Sequence, residues 1–308
     1  MFGVAIVLFA ITVASRFSWT AWPFELLSNF PVQLTAFGFA LAILAILVRA
    51  KVTVLIALSC VVINVIVASS IFTDVRRTPR PDGERLRLGH LSAQTRPIDV
   101  SAFGDYVMAM HPDVFVILDP TQADVPRLTQ AAPGFRVWRA AGNDPQNPGY
   151  VRAVVFSRAP IDDVRHPSEP DFGASAVELT IQTAAQPVSL IVFGTDSPTS
   201  PARTHRRDRA LEAAARWSRN HPDRRVVMGD LNCTPWSPSF RSLLHDGNLF
   251  DSLDGFGLQA SWPEWSPLLR IPIDHALLGP ALAATDRGTG PSFGSEHRSV
   301  HVTIAPAR

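Results

Sequence analysis

The first 72 residues of the chain are almost entirely apolar and form three hydrophobic runs. They contain only four charged side chains: Arg16, Glu25, Arg49 and Lys51. The runs cover residues 1–18, 31–48 and 52–72, and a helix needs about 20 apolar residues to cross a bilayer. The pattern therefore predicts about three transmembrane helices within residues 1–73. The first run is also compatible with a signal peptide, although no basic segment precedes it.

After residue 73 the pattern changes to short strands and helices. Residues 74–84 are rich in Pro, Arg and Asp and predict a linker. Continuous or alternating apolar runs predict strands at 86–91, 114–118, 152–156, 176–181, 188–193, 226–228, 271–278 and 299–304. Apolar positions at helical spacing predict helices at 100–110, 202–219 and 238–244. Together they predict one α/β domain over residues 85–308.

Charges at the ends of the apolar runs predict how this domain is oriented. Arg49 and Lys51 lie in the short loop between the second and third runs, and positively charged short loops stay in the cytoplasm. Arg76, Arg77 and Arg80 after the third run favour the opposite orientation, but large domains are exported largely regardless of charge. We therefore expect a multi-pass protein of the inner (cytoplasmic) membrane with an extracytoplasmic, periplasmic domain.

The composition of the part after residue 72 restricts the ligands. It holds 25 basic residues (28 minus 3) and 26 acidic residues (27 minus 1), so it is nearly neutral. A nucleic-acid-binding domain usually carries a basic excess, so nucleic acid is not favoured as a partner. Cys60 lies in the third run and Cys233 after a predicted strand, so no intramolecular disulfide is expected.

A short polar motif follows the strand at residues 226–228. Asp230 and Asn232 stand two residues apart, so they project from one face of an extended chain. The carboxyl ends of buried strands are where open sheets place their chemistry. The same spacing also fits an Asx-type turn with two locally satisfied side chains. Spacing alone leaves both interpretations open.

Three motifs in order resemble one known family. They are Gly-Asp-Leu-Asn at 229–232 with Thr-Pro-Trp-Ser at 234–237, Ile-Asp-His at 273–275, and Gly-Ser-Glu-His-Arg at 294–298. This set is similar to the metal-dependent, DNase I-like endonuclease/exonuclease/phosphatase family. The resemblance implies two mixed β-sheets packed face to face with helices outside, a four-layer sandwich. It also implies hydrolysis of a phosphoester with a divalent ion, Mg²⁺ or Mn²⁺.

The resemblance gives each motif residue a role. Asp230 matches the aspartate that orients or deprotonates the attacking water, and Asn232 matches the amide that hydrogen-bonds the phosphate. His297 matches the histidine that contacts the scissile phosphate. Asp274 matches the carboxylate that pairs with this histidine and fixes its tautomer. Glu296 stands where the family usually has Asp, and we expect it among the metal ligands.

The first half of the site departs from the family pattern. Ser92 replaces an Asn, Pro120 replaces the principal metal-ligand Glu, and Asp196 replaces a general-acid His. Asp196 could bind a hard cation together with Asp230, because Mg²⁺ needs only one or two protein carboxylates. Asp119 could substitute for the missing Glu only if its strand were rotated, since neighbouring side chains on a strand point to opposite faces.

These observations support two functions. The first is a membrane-anchored, metal-dependent phosphoester hydrolase with a rearranged site. The alternative is a catalytically inactive family member that binds a phosphate ligand or acts as a scaffold; an unrelated α/β membrane protein is a third, weaker hypothesis. The resemblance leaves the substrate open among nucleic acid, sugar phosphate, phospholipid headgroup and phosphoinositide. Near-neutral charge and contact with the lipid bilayer favour a lipid or small phosphoester.

One basic cluster has two interpretations. The predicted helix at 202–219 carries four arginines in its first turns: Arg203, Arg206, Arg207 and Arg209. They form either a solvated helix face, which is the more common case, or a phosphate contact.

Overall fold

A computed structural model describes residues 1–18, 22–73, 77–141 and 150–308 of the chain. Its amino-terminal part is helical. The helices are α1 (Phe2–Ala14), α2 (Trp22–Ser28), α3 (Pro31–Leu47), α4 (Lys51–Ala68) and α5 (Ser70–Thr73), with a 3₁₀ turn at Ser15–Phe17 after α1. Residues 74–76 of the predicted linker lie outside the described residues.

The helical part confirms the apolar pattern but not the number of spans. Among the described residues, one helix, Lys51–Phe72, is long and apolar enough to cross a membrane. α1 and α2 pass the same criteria only if they are counted as one span bent by 112°. α3 has 17 residues, about 25 Å of helix, which is shorter than the hydrocarbon core. Three transmembrane helices are therefore not confirmed, and the periplasmic orientation stays a prediction.

The rest of the chain forms two six-stranded mixed sheets. In spatial order the first sheet contains β11 (Leu282–Thr289), β12 (Val300–Pro306), β1 (Leu86–Ser92), β2 (Val114–Leu118), β4 (Val151–Ser157) and β3 (Arg136–Ala141). The second contains β5 (Ile161–Arg165), β6 (Val177–Ile181), β7 (Val188–Gly194), β8 (Arg225–Asp230), β10 (Asp274–Leu278) and β9 (Phe250–Asp251).

The two sheets pack face to face through alternate side chains. The inner faces contribute, among others, Leu88, Val116 and Val302 from the first sheet and Leu190, Val226 and Met228 from the second. This is the period-two pattern of a sandwich core. Helices α6 (Val100–Met110) and α7 (Asp124–Ala131) cover the outer face of the first sheet. Helices α8 (Pro201–Arg219) and α9 (Pro238–Gly247) cover that of the second. The predicted sandwich of two mixed sheets is confirmed.

The helical part packs directly on the loop that follows β8. The Glu25 carboxylate accepts a hydrogen bond from the buried Arg207 guanidinium at 2.7 Å. Arg207 also donates to the carbonyl of Asn232 at 3.1 Å. Thr234 donates its hydroxyl to Asn29 at 2.8 Å, and both side chains are buried. Hydrogen bonds and the Glu25–Arg207 ion pair therefore connect the loop after β8 to the amino-terminal helical part.

We expect Glu25→Gln to lower the free energy of unfolding by about 2 kcal/mol, because the buried Arg207 guanidinium loses a charged hydrogen-bond partner and keeps the partly exposed Asp208 carboxylate. Urea unfolding of the full chain in detergent, followed by tryptophan fluorescence, measures this. Glu212→Gln is the matched control, since Glu212 is exposed on α8 and its replacement should change stability by less than about 0.5 kcal/mol. Equal effects of the two substitutions would contradict the stabilising role of the ion pair.

Candidate active site

The site begins where β8 ends between its two neighbours. Asp230, the last residue of β8, pairs with Gly194 of β7 and with Asp274 of β10. Just before it, Gly229 has φ +144°, and a Cβ there would lie 1.8 Å from the Phe193 carbonyl oxygen. Glycine at this position therefore lets β8 approach β7 closely just before Asp230, while pairing with β10 places Asp230 beside Asp274.

Asp274 holds two histidines from different parts of the chain. Its Oδ2 accepts a hydrogen bond from His297 Nδ1 at 2.8 Å, and its Oδ1 accepts one from His90 Nε2 at 3.1 Å. The side chains of all three residues are fully buried. His90 comes from β1 in the first sheet, so Asp274 joins the two sheets. The predicted pairing of Asp274 with His297 is present in the structure.

The other imidazole nitrogen of His297 faces Asp230. His297 Nε2 lies 3.6 Å from Asp230 Oδ2. The other oxygen, Asp230 Oδ1, accepts a hydrogen bond from the backbone N–H of Asn232 at 3.2 Å. Ligand atoms of Asp230, Asp274 and His297 all lie within 4.8 Å of one another. Asn232 stands beside this group with φ +48°, and its side-chain amide donates to the Thr195 carbonyl at 3.0 Å.

Burial and neighbouring charges shift the pKa values of Asp230, Asp274 and His297. Burial raises the pKa of Asp230 to about 6, against the opposing effect of His297. Although burial lowers it, the Asp274 and Asp230 carboxylates raise the pKa of His297 to about 9. Burial also acts against ionised Asp274, yet His297 and His90 hold the pKa of Asp274 below its usual range. At neutral pH the site therefore contains two carboxylates and one imidazolium.

Gln94 contacts Nε2 of His297, on the edge of the imidazole opposite the one bound by Asp274. Its amide lies 2.7 Å from His297 Nε2. The amide NH₂ suits a neutral His297, whose Nε2 accepts, whereas the amide oxygen suits the imidazolium, whose Nε2–H donates. A rotation of the Gln94 amide can thus serve both protonation states of His297.

The loop that carries His297 is fixed by a serine pair at the end of β1. Ser295 donates its hydroxyl to the carbonyl of Ser92 at 2.6 Å and accepts the His297 backbone N–H at 3.0 Å. Ser92, where the family has Asn, therefore lies beside the site and supports it through its backbone.

Position 120 supplies no metal ligand. Pro120 is buried at the end of β2 and has no side-chain oxygen. The preceding Asp119 has φ +48°, and its carboxylate accepts a hydrogen bond from Ser175 at 2.6 Å and lies 3.4 Å from Arg152 Nη1. It is not among the clustered ligand groups of the described residues.

The other two acids suggested as metal ligands have basic partners. Asp196 accepts two hydrogen bonds from Arg206, at 2.8 and 3.2 Å, and lies 3.4 Å from Arg203. Glu296 pairs with Arg96. Neither acid belongs to the cluster at Asp230, because each is directed toward a guanidinium. Two of the four α8 arginines thus bind Asp196, and Arg207 is buried against Glu25.

Two residues of the site, His90 and Gln94, are absent from the sequence prediction. In β1, Leu86, Leu88, His90 and Ser92 share one face, and Leu86 and Leu88 lie in the core between the sheets. The sequence signal that could have identified His90 is a histidine at a core-facing position of the strand, two residues before Ser92. Gln94 follows the strand with φ +50°, and no spacing rule predicts where its amide points.

The cluster fits one weakly held divalent ion. Both oxygens of Asp274 accept hydrogen bonds from imidazoles, and His297 is protonated at neutral pH, so Asp230 Oδ2 is the atom of the cluster left to ligate. Mg²⁺ often binds proteins through one or two carboxylates and keeps several waters. We therefore expect the ion at Asp230, with affinity limited by the lack of an oxygen ligand at Pro120.

The raised pKa of His297 makes stability depend on pH. Its folded value of about 9 exceeds the ordinary 6.5, so its stabilising contribution is complete below pH 6.5 and is lost as pH rises through 9. With a chelator present, we expect the free energy of unfolding to fall by roughly 3 kcal/mol over this range. His297→Asn should remove most of that slope, as measured by urea unfolding at several pH values. Parallel pH curves for the two proteins would contradict the assignment.

The fold and the cluster define the class of the protein, an α/β sandwich with the phosphoesterase fold. Residues 85–297 match the Endonuclease/Exonuclease/phosphatase family, and the chain belongs to this family. Members typically use divalent metals. No curated protein matches the chain in sequence.

Solved structures of this family share the fold at low sequence identity. A family protein from Bacteroides thetaiotaomicron gives a TM-score of 0.58 at 14% identity, covering 73% of this chain and 98% of that one. Mannosyl-6-phosphatase of the same organism gives 0.57 at 13%, covering 71% and 99%. TDP2 of D. rerio, complexed with a single strand DNA product, gives 0.56 at 14%, covering 72% and 99%. A phosphatase and a protein complexed with a DNA product are thus both among the similar structures.

Proposed function

We propose that the chain is a membrane-anchored phosphoester hydrolase that works with one divalent ion, Mg²⁺ or Mn²⁺, bound at Asp230. The observation that supports this most is the buried row of His90, Asp274, His297 and Asp230. Burying ionised groups is costly unless each is paired. A scaffold that only needed the fold would be at least as stable with apolar residues here, whereas a hydrolase needs these groups at this spacing.

In the proposed mechanism Asp230 acts on the attacking water and His297 acts on the phosphate. The Asp230 carboxylate orients the attacking water and accepts its proton. His297, held by Asp274, donates its Nε2–H to an oxygen of the scissile phosphate, where negative charge grows. One N–H of the Asn232 side-chain amide is bound by the Thr195 carbonyl, and its second N–H would donate to the same phosphate. A divalent ion bound at Asp230 supplies neutralisation of the phosphoryl oxygens.

The histidine that protonates the leaving oxygen in the family is replaced in this chain. Asp196 stands at that position and is bound by Arg206. We therefore propose that turnover is slow and that substrates with good leaving groups are favoured. The near-neutral domain and the apolar amino-terminal helices favour a lipid or small phosphoester over nucleic acid.

The alternative, a phosphate-binding or scaffolding module without turnover, is favoured by the replacement of the principal ligand by Pro120. The two functions differ in metal binding. We expect calorimetric titration of Mn²⁺ or Mg²⁺ into the full chain in detergent to show one site. Asp230→Asn should abolish it, and Asp286→Asn, which alters an exposed acid of β11, should not. Absence of binding to the unmodified chain at millimolar metal would leave only the alternative.

A further inference from the structure

Exposed apolar side chains of the domain are concentrated in one loop. Five large hydrophobic residues among those described after Arg77 are more than a third exposed, and four of them lie between Leu258 and Leu269. Trp265 is 69% exposed, Leu268 85% and Leu269 46%. Soluble surfaces seldom group such residues without a partner. We call residues 262–271 the apolar loop; its two ends are joined by a bridge between Trp262 and Ile271.

The apolar loop adjoins the first turn of α3. The Gln33 side chain donates to the Arg270 carbonyl at 3.1 Å. A cavity of about 560 Å³ separates the two elements, with Val32 and Ala36 of α3 on one side and Leu268 and Arg270 on the other. The apolar run of α3 begins at Pro31, so a bilayer that holds this helix has its surface at the level of Gln33 and of the loop.

The base of the apolar loop is part of the active site. Ser261, immediately before it, accepts the backbone N–H of Asp274 at 3.2 Å. The Trp262 ring lies 6.5 Å from the His297 ring, measured between centroids. Glu264 donates its backbone N–H to the carbonyl of Glu296 at 2.8 Å. The base of the apolar loop is therefore attached directly to the segments that carry Asp274 and His297.

Charges around the cavity suit the surface of an anionic bilayer. Arg270 and Arg298 both line the cavity, and they share one carboxylate, that of Glu264, at 3.0 and 3.8 Å. One basic charge is therefore not neutralised within this group, and basic residues at a membrane surface attract anionic headgroups.

We infer that the apolar loop is a second membrane-contacting element, which inserts Trp265, Leu268 and Leu269 into the interfacial layer of the bilayer. Tryptophan and leucine suit that layer, where an apolar face is buried about 5–10 Å deep. The loop thus holds the entrance of the active site at the lipid surface. This inference rests on the membrane anchorage in the proposed function.

Depth-dependent fluorescence quenching tests the inference in the full chain. Variants of the full chain, each with one introduced cysteine, are labelled with an environment-sensitive fluorophore and reconstituted in vesicles of phosphatidylcholine and phosphatidylglycerol. Leu268→Cys probes the loop and Leu55→Cys, at an exposed position of α4, probes the anchor. Ala185→Cys, in the exposed turn between β6 and β7 at the far end of the sheet, is the control. Native Cys60 and Cys233 are buried.

Brominated lipids should quench the labels at 268 and 55 at least twofold and leave the label at 185 unchanged. Quenching at 55 without quenching at 268 would overturn the inference and leave the anchorage intact. Lack of quenching at both positions would overturn the anchorage and the inference together. Equal quenching at 185 and 268 would also overturn the inference, because contact would then not be specific to the loop.

Discussion

Replacing Asp274 by Asn should lower turnover by about 10²–10⁴-fold, the range of a lost acid–base group. Asp274 accepts hydrogen bonds from His297 and His90 on its two oxygens. An amide has one oxygen, and its NH₂ would face an imidazole N–H, so one contact becomes repulsive. The charge that keeps His297 protonated would also be lost. The pKa of His297, followed by NMR, should therefore fall from about 9 toward 6.5.

His90→Asn is the control for Asp274→Asn, because it removes one support of Asp274 and leaves its charge. We expect a loss of about tenfold, typical of a group that acts through another, with little change in the pKa of His297. Unchanged activity in Asp274→Asn would contradict the role of the carboxylate. An equal loss in both variants with an unchanged His297 pKa would show a purely structural effect.

Restoring the missing family groups should raise activity, beginning with metal affinity. Pro120→Glu supplies an oxygen ligand at the end of β2, and we expect the metal concentration for half-maximal activity to fall at least about tenfold. The backbone can accept this change, because Glu has the N–H that Pro lacks and no ring to constrain φ. An unchanged metal dependence would show that position 120 does not face the ion.

The two other restorations should depend on the first. Asp196→His supplies a general acid and releases Arg206 from its ion pair, and Ser92→Asn supplies a longer amide. Neither is useful without a well-bound ion, so the triple variant should exceed the sum of the single effects. Additive rates at a metal concentration well below saturation would contradict coupling through a common site.

Much of the fold was predictable from hydrophobic pattern, and the exceptions share a physical cause. β2 and α6 have the predicted bounds, since one is a continuous apolar run and the other starts at an N-cap, Asp99. The strands that the sequence did not indicate are β3, β5, β9 and β11, which are the four edges of the two sheets. Edge strands are less buried, so their sequences carry a weaker alternation.

The site was predictable only where residues cluster in sequence. Asp230, Asn232, Asp274 and His297 follow strand ends in recognisable motifs, and the structure brings all four together. Asp196 was expected to face the ion but is bound by Arg206. His90 was not predicted, because its partner Asp274 is 184 residues away. Contacts of this kind depend on how the two sheets pack, which the local pattern does not specify.

The central claim, that this rearranged site hydrolyses phosphoesters, is tested most directly by assaying the unmodified full chain. Hydrolysis of bis(4-nitrophenyl) phosphate, which has a good leaving group, is followed in detergent with Mn²⁺ or Mg²⁺. We expect hydrolysis that a chelator abolishes, that Asp230→Asn lowers at least about 10²-fold, and that Asp286→Asn leaves unchanged. Hydrolysis no faster than that of Asp230→Asn at saturating metal would contradict the claim and favour a binding module.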